Sequence, residues 1–526
     1  MARFCLTTIG CKVNQYDSAA LSEAIRRQGL SPVEGSQAAD LAVIHTCCVT
    51  ASAMQKSRSA VRRTLRRWPG AAVLVTGCYA DYDAQAIRRV AADFGLPGQR
   101  LFVAGNHSDL EAVLRQIGQS MVEHCGGTSM PGLGGSARPM RNDQCMSAGE
   151  SCREAASPMH ADIKARRRAA VKRNITPNSF LPIISSFPNH QRAFLKVQDG
   201  CDAFCSYCVV PYTRPVLWSR PIEQVRRQCL DLLANGHREI VLSGIFLGAY
   251  GRQTAIRRKW EKTEGGGARG EERNGEERKT ERTDRSRNSE CLLPELVRTI
   301  RELPGLWRLR LSSLEPLDLT EDLLDACNHP AVAPHFHLPL QSGSENILAR
   351  MNRQYTPEQY RQCVDRLRQA IPCVAITTDV IVGFPGETEE DFDHTLEMAA
   401  HAGFSNIHVF PFSAIEGTTA WLWRNQASPP PVVKERMARL NSLERRLAEN
   451  FHKQFVGETM EAIVEMPNSC SSPATAMTDR HITIYVTPTR EARKLTGQVV
   501  RVRIDALHKA GLSGRLEPIA APRGPG

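Results

Sequence analysis

A chain of 526 residues is too long for one ordinary domain, and with 41% hydrophobic and 23% charged residues most of it can bury a core. No run approaches the roughly 18 consecutive apolar residues of a membrane span, and the first residues lack a secretory signal's apolar core, which argues against a membrane-spanning or secreted protein. Seventeen cysteines without such a signal point to metal ligation in a reducing cytoplasm, and a net charge of +11 suits a polyanionic partner such as nucleic acid.

Residues 1–118 alternate short apolar strands, near Arg3–Ile9, Asp40–Thr46, Ala71–Thr76 and Leu101–Ala104, with amphipathic helices near Asp17–Gln28, Ala51–Trp68, Tyr82–Asp93 and Asp109–Ile117. That order predicts a parallel sheet flanked by helices. Residues 119–190 lose the periodicity, become rich in Gly, Ser, Met, Pro and Arg, and read as a low-complexity linker. Residues 191–425 hold six further strand–helix units, with strands near Ala193–Gln198, Glu239–Ser243, Arg308–Ser312, His335–Leu340, Ala375–Val382 and Asn406–Phe410. They predict a partial (β/α)6 barrel. An Arg/Glu/Gly-rich tract, about 252–290, interrupts it and reads as a disordered insertion. A charged, helix-prone bridge, 432–450, leads to residues 454–516, whose short strands Met460–Glu465, His481–Val486 and Gln498–Ile504 predict a small β-barrel. Arg490–Lys494, Arg501 and Arg503 would give it basic edges for phosphate contacts.

Two sets of cysteines carry the chemistry. Cys201, Cys205 and Cys208, spaced C-x3-C-x2-C after the first barrel strand, can hold three irons of a [4Fe–4S] cluster. A structural zinc site would close with a fourth ligand, and no adjacent Cys or His supplies one. Cys11, Cys47 and Cys78 each follow a predicted strand of the first domain. Strand carboxyl ends share one edge of a parallel sheet, so these three would meet in one crevice, as a second cluster requires.

The C-x3-C-x2-C run, with aromatic Tyr207 before its last cysteine, resembles the signature of the radical S-adenosylmethionine (SAM) enzymes. Taken with the N-terminal motifs, the chain is identified as a member of the methylthiotransferase family, which inserts sulfur and a methyl group at an unactivated C–H bond. The resemblance implies an α/β fold in three parts: a methylthiotransferase domain, a radical SAM barrel and a C-terminal TRAM domain. Gly10-Cys11-Lys12-Val13-Asn14-Gln15 and His408-Val409-Phe410-Pro411-Phe412-Ser413 resemble the branch acting on N6-threonylcarbamoyladenosine next to the tRNA anticodon. His45 and Cys48 depart from it, standing where the family usually has Asn and Thr, and Ala414–Thr418 keeps only part of the usual basic loop.

The resemblance further implies two [4Fe–4S] clusters, on Cys11/Cys47/Cys78 and on Cys201/Cys205/Cys208, with SAM at the second. Cleavage of SAM there would yield the radical that takes hydrogen from C2 of the modified adenine, while the first cluster would supply the sulfur. Tyr207, Ser243, Gly244, Ser312, Glu315 and Gly383 are the expected SAM contacts, all at or just after barrel strands. The implied partners are tRNA, a reducing electron donor and a sulfur source, with no membrane. The rival readings are a sister enzyme acting on isopentenyladenosine or a ribosomal-protein aspartate, and a non-catalytic iron–sulfur RNA-binding or redox-sensing protein.

Overall fold

The computed structural model describes residues 2–33, 37–95, 100–106, 108, 110–124, 182–187, 191–256, 291–466 and 472–517. The chain splits into two compact units, the first being Met1–Ile183 with two later stretches, Tyr212–Val216 and Ile415–Thr418. The remaining residues from Ile184 onward make up the second.

In the first unit, strands β1 (Arg3–Thr8), β2 (Ser31–Pro32), β3 (Leu41–Thr46), β4 (Ala72–Gly77) and β5 (Leu101–Ala104) form one parallel sheet in the order β2-β1-β3-β4-β5. The central β3 and β4 are buried along their whole length, as their near-continuous apolar runs require in a sheet covered on both faces. Helices α1 (Lys12–Arg27), α2 (Ala51–Arg67), α3 (Cys78–Tyr82), α4 (Ala84–Ala92) and α5 (Leu110–His124) follow these strands. Phe4, Leu21, Ile25, Val43, Leu74, Leu114 and Ile117 belong to its core.

Helix α1 starts at Lys12, well before the expected Asp17, because three of its buried residues are polar (Asn14, Asp17 and Ser18) and hide the apolar period. Each is bonded: Asn14 Nδ2 donates to Ile9 O (3.0 Å) and Thr46 O (3.1 Å), Ser18 Oγ meets His45 Nδ1 (2.8 Å), and Asp17 holds an arginine described below. The helix expected over Tyr82–Asp93 is two helices, broken where Asp83 caps α4 by accepting from Ala86 N (2.8 Å). Helix α5 runs to His124, past the boundary expected at residue 118.

In the second unit, six parallel strands make the partial barrel: β6 (Arg192–Lys196), β9 (Glu239–Ser243), β10 (Arg308–Leu311), β11 (His335–His337), β12 (Ala375–Val382) and β13 (Asn406–Pro411). Parallel bridges Leu309↔Val332 and Ser313↔His337 join the β10 side to the β11 side. A short ribbon, β7 (Gln198–Asp199) with β8 (Trp218–Ser219), flanks the cysteine loop. A helix over Pro430–Lys453 leads to a closed five-stranded barrel of β14 (Thr459–Val464), β15 (Thr475–Thr478), β16 (Thr483–Thr487), β17 (Val499–His508) and β18 (Gly511–Leu516). Of these, β15 and β18 were not anticipated, and Arg490–Lys494, expected as a basic arm, lies in a short helix, Thr489–Lys494.

The small barrel meets the large one at the amino-terminal ends of its strands. Arg192 pairs with Glu465 (2.9 Å), Arg310 donates to Thr478 O (3.2 Å), Trp307 Nε1 donates to Glu461 (3.0 Å), and His335 stacks on His481 at 4.9 Å. The carboxyl edge, which carries the cysteine loop, faces away from these contacts.

Most of the expected linker and insertion lies outside the described residues. The described parts are packed. Ile184 and Phe187 are buried, with Phe187 N donating to His237 Nε2 (2.9 Å). Thr254 and Ala255, counted within the expected insertion, donate to the Asp202 carboxylate at 2.8 and 2.7 Å and so tie down the cysteine loop.

Candidate functional site

The crevice of the first unit is formed by the carboxyl ends of three neighbouring strands. Cys11 follows β1 as the residue before α1, Cys47 follows β3, and Cys78 opens α3 directly after β4. Their closeness is visible in the backbone: a Cβ on Gly10 (φ +123°) would lie 3.0 Å from Cys47 Cβ and 2.6 Å from Asn14 Nδ2. Gly77 (φ +94°) runs so tightly past β3 that a Cβ there would meet Thr46 O at 2.5 Å and His45 Cδ2 at 2.4 Å. Only glycine fits both the dihedral and the gap. Helix α2 is pinned to the site, with Cys47 N donating to Ser57 Oγ (3.2 Å) and Ser57 Oγ donating to Cys47 O (3.0 Å).

Burial, helped by the neighbouring Cys78 and Cys11, pushes the Cys47 thiol up to about 12. Cys11 is solvent-exposed at the mouth of the crevice, yet the protein packed around it still raises its pKa by desolvation, with Cys78 adding to this. Left to themselves Cys47 and Cys11 stay protonated, and a metal cation is what would replace their protons.

Arg214 was missed by the sequence reading. It lies in Tyr212–Val216, the stretch that follows the barrel cysteines in sequence but folds with the first unit, where it is 1% exposed. Its Nε donates to Cys78 Sγ (3.4 Å), and its Nη2 reaches Asp17 (3.0 Å), Asn14 Oδ1 (3.3 Å) and Asn106 Oδ1 (3.2 Å). Asn106 Nδ2 also donates to Cys78 Sγ at 3.6 Å. A signal existed, since three buried polar residues in this unit require partners, but their partner was distant in sequence. Glu416, in the shortened loop, accepts from Tyr82 through its backbone carbonyl (2.9 Å) within the same unit. Cys48 is fully buried.

In the second unit, Cys201, Cys205 and Cys208 sit on one loop at the carboxyl edge of the partial barrel. Ala203 N donates to Cys201 Sγ (3.4 Å), Cys208 N to Cys205 O (2.9 Å), and Asn352 clamps the loop through Ala203 O (3.2 Å) and Phe204 O (2.9 Å). Burial raises the Cys201 thiol strongly, with Cys208 and Cys205 adding to it. Arg353, likewise missed, donates from Nη1 to Cys205 Sγ (3.3 Å), and its Nη2 pairs with Glu315. The two sets therefore share a device: a buried, ion-paired arginine donating to one thiol.

The expected SAM contacts fare unevenly. Ser312 is buried and its Oγ has no hydrogen-bond partner among the described residues; Ser206 Oγ, beside Tyr207, is in the same state. Such hydroxyls on the cysteine edge suit a polar ligand. Tyr207 is half-buried and packs edge-on against Phe384 at 6.5 Å. Ser243 is buried with its Oγ turned to Val241 O (3.4 Å), and Gly244 lies against Gln198, whose Oε1 accepts from Phe246 N (2.8 Å). Glu315 is already engaged by Arg353. The space beside Gly383 is taken by Val433, 2.5 Å from where a Cβ would lie, so packing against the Pro430–Lys453 helix explains this glycine.

No three His, Cys, Asp or Glu among the described residues form the tight shell of a single metal ion. A [4Fe–4S] cluster takes one thiolate at each of separate iron corners, and N–H donors to sulfur, as at Cys78 and Cys205, are the kind of outer contact that tunes such ligands.

Residues 195–399 match the radical SAM superfamily, and residues 3–95 match the uncharacterized protein family UPF0004. The threonylcarbamoyladenosine tRNA methylthiotransferase MtaB of Chlamydia pneumoniae is 31% identical over 98% of this chain and 98% of its own length. The chain belongs to the methylthiotransferase family. The protein of the same name from Bacillus subtilis is 30% identical over 96% of this chain and 94% of its own. A methylthiotransferase of the other tRNA branch, the tRNA-2-methylthio-N(6)-dimethylallyladenosine synthase of Anaplasma marginale, reaches 27% over 95% and 93%. Among solved structures, the radical SAM methyltransferase TsrM of Kitasatospora setae aligns with a TM-score of 0.46 at 13% identity, over 90% of this chain and 78% of that one, too distant to carry an argument. As a radical SAM methylthiotransferase, the protein is an enzyme that uses SAM and a [4Fe–4S] cluster. No helix among the described residues is long and apolar enough to cross a membrane.

Proposed function

We propose that this enzyme converts N6-threonylcarbamoyladenosine in tRNA to its 2-methylthio derivative, with Cys201, Cys205 and Cys208 holding the SAM-binding cluster and Cys11, Cys47 and Cys78 a second, sulfur-donating one. The observation that carries the two-cluster reading is the repeated device of three thiols with one arginine, Arg353 on Cys205 and Arg214 on Cys78. When bound, the clusters and SAM supply the one-electron chemistry and sulfur that an unactivated C–H bond demands and that no side chain can provide. The protein's own share is to hold and tune. Guanidinium N–H groups donating to Cys78 and Cys205 would stabilise negative charge on a ligating sulfur, which draws a cluster's potential upward. Asp17 and Glu315 keep each guanidinium in place. Buried Ser312 and Ser206 hydroxyls offer SAM polar contacts, and Cys201 is itself buried.

The threonylcarbamoyl branch is supported by the full-length likeness to MtaB proteins. A reducing electron donor and a sulfur source must serve the site, and a reducing compartment such as the cytoplasm suits a cysteine-rich enzyme of this kind. Mass spectrometry of tRNA nucleosides with and without the gene tests the reading. Loss of the 2-methylthio form of N6-threonylcarbamoyladenosine is expected; loss of the isopentenyl derivative instead would reassign the branch.

A further inference from the structure

Helix α2 carries six cations (Lys56, Arg58, Arg62, Arg63, Arg66 and Arg67) and no Asp or Glu, a formal +6 against +11 for the whole chain. Its apolar and small residues, Met54, Ser57, Ala60, Val61, Thr64 and Leu65, are buried on one side. Lys56, Arg62, Arg63, Arg66 and Arg67 are exposed. At 3.6 residues per turn these five share roughly 140° of the helix circumference and span about 16 Å of its length. Arg88 and Arg89, exposed on the adjoining α4, extend the surface and again bring no acid from that helix.

An ordinary solvated helix face neutralises itself, as elsewhere in this molecule: Arg298 pairs with Asp322 and Asp325, and Arg439 with Glu389 and Asp393. The cations of α2 and α4 form no ion pair among the described residues. In the small C-terminal barrel, too, some cations are paired, Arg501 with Glu517 (3.4 Å) and Arg515 with Asp505 (3.0 Å). We propose that the exposed face of α2, extended by α4, is a docking surface for the tRNA phosphate backbone. A single-sign row, Arg-rich and unrelieved by carboxylates, fits a polyphosphate better than the mixed charges of a protein surface. Ser57 ties the same helix to Cys47, so tRNA held on α2 is held on an element of the crevice wall.

This inference rests on the tRNA methylthiotransferase reading, and its test separates the two. Binding of bulk tRNA to the full-length protein is measured across a salt series, for wild type and for a variant with Lys56→Gln, Arg62→Gln, Arg63→Gln, Arg66→Gln and Arg67→Gln. These exposed side chains touch no thiol, so SAM cleavage without tRNA should be unchanged. Each lost phosphate contact flattens the log–log salt slope by roughly 0.7–0.9, so loss of these five contacts should reduce it by about 4 and weaken binding at least about thirty-fold at moderate salt. A second variant with Arg62→Lys, Arg63→Lys, Arg66→Lys and Arg67→Lys should keep the wild-type slope, because counterion release follows charge. Equal affinity and slope in the Gln variant, or a lost slope in the Lys variant, would overturn the α2 surface alone. So would a Gln variant that binds tRNA normally but is reduced more slowly by an acidic electron-donor protein. Wild-type protein with no affinity for tRNA would overturn the reading beneath it.

Discussion

In the first unit three thiols from the ends of β1, β3 and β4 meet only because the sheet is parallel, whereas in the second Cys201, Cys205 and Cys208 share one short loop. The crevice is therefore a product of long-range packing: Gly77 against β3, Ser57 against Cys47, Arg214 among three polar residues of a domain it does not adjoin in sequence. In the barrel the spacing alone puts the three cysteines on one loop, which Asn352 and, through Asp202, Thr254 and Ala255 then hold from distant positions. Similar chemistry is thus supported in one place by a fold and in the other by a loop. Damage to packing should fall harder on the crevice.

The largest effects come from removing each set. Replacing Cys201, Cys205 and Cys208 by Ala should abolish 5′-deoxyadenosine formation from SAM and halve the iron to about one cluster. The same change at Cys11, Cys47 and Cys78 should also remove about half the iron, yet spare SAM cleavage while stopping methylthiolation. Iron analysis with a 5′-deoxyadenosine assay decides the matter, and two variants that behave alike would break the comparison.

The two arginines sharpen it. Arg214→Ala deprives buried Asp17 of this partner and should destabilise the first unit by about 3–5 kcal/mol, as breaking a buried pair does. It should alter the electron paramagnetic resonance spectrum of the crevice cluster only. Arg353→Ala should alter that of the barrel cluster only and slow SAM cleavage. Spectra that change at the wrong site would remove the parallel between the two arginines.

The smallest effect is expected at Cys48. Its thiol is buried beside Cys47, and Cys48→Thr, which restores the family's usual residue but adds a methyl and a hydroxyl at a fully buried site, should cost about 1–3 kcal/mol and leave iron content as it was. A drop in iron would make Cys48 a ligand or a competitor for one.

The legible parts of the site were those with a local signature. C-x3-C-x2-C needs only eight consecutive residues, and a cysteine after each apolar strand is visible once the strands are. Arg353 and Arg214 carried no such mark, because an arginine's importance lies in what it touches. The start of α1 was misplaced for a related reason, since Asn14, Asp17 and Ser18 are buried polar residues that break the apolar period while satisfying distant partners. Strand β15 has only four residues and β18 carries two glycines among its six, so neither shows clear alternation, and both form because a closed barrel supplies their neighbours.

By itself the sequence determined the alternation of strands and helices, the parallel sheet, the partial barrel with a small β-barrel after it, and the residue types of both cysteine sets. These follow from periods and spacings that neighbouring residues carry. Tertiary structure alone decided that Tyr212–Val216 leaves the barrel segment to bring Arg214 onto Cys78, and that Glu315 is occupied by Arg353. It also decided which charges are spent: Arg501 and Arg515 are paired with acids from other positions, while five of the six cations of α2 stay exposed and none of the six forms an ion pair among the described residues. The reason is physical. Burial and pairing depend on which groups meet in space, and a chain's composition records the charges without recording what they face.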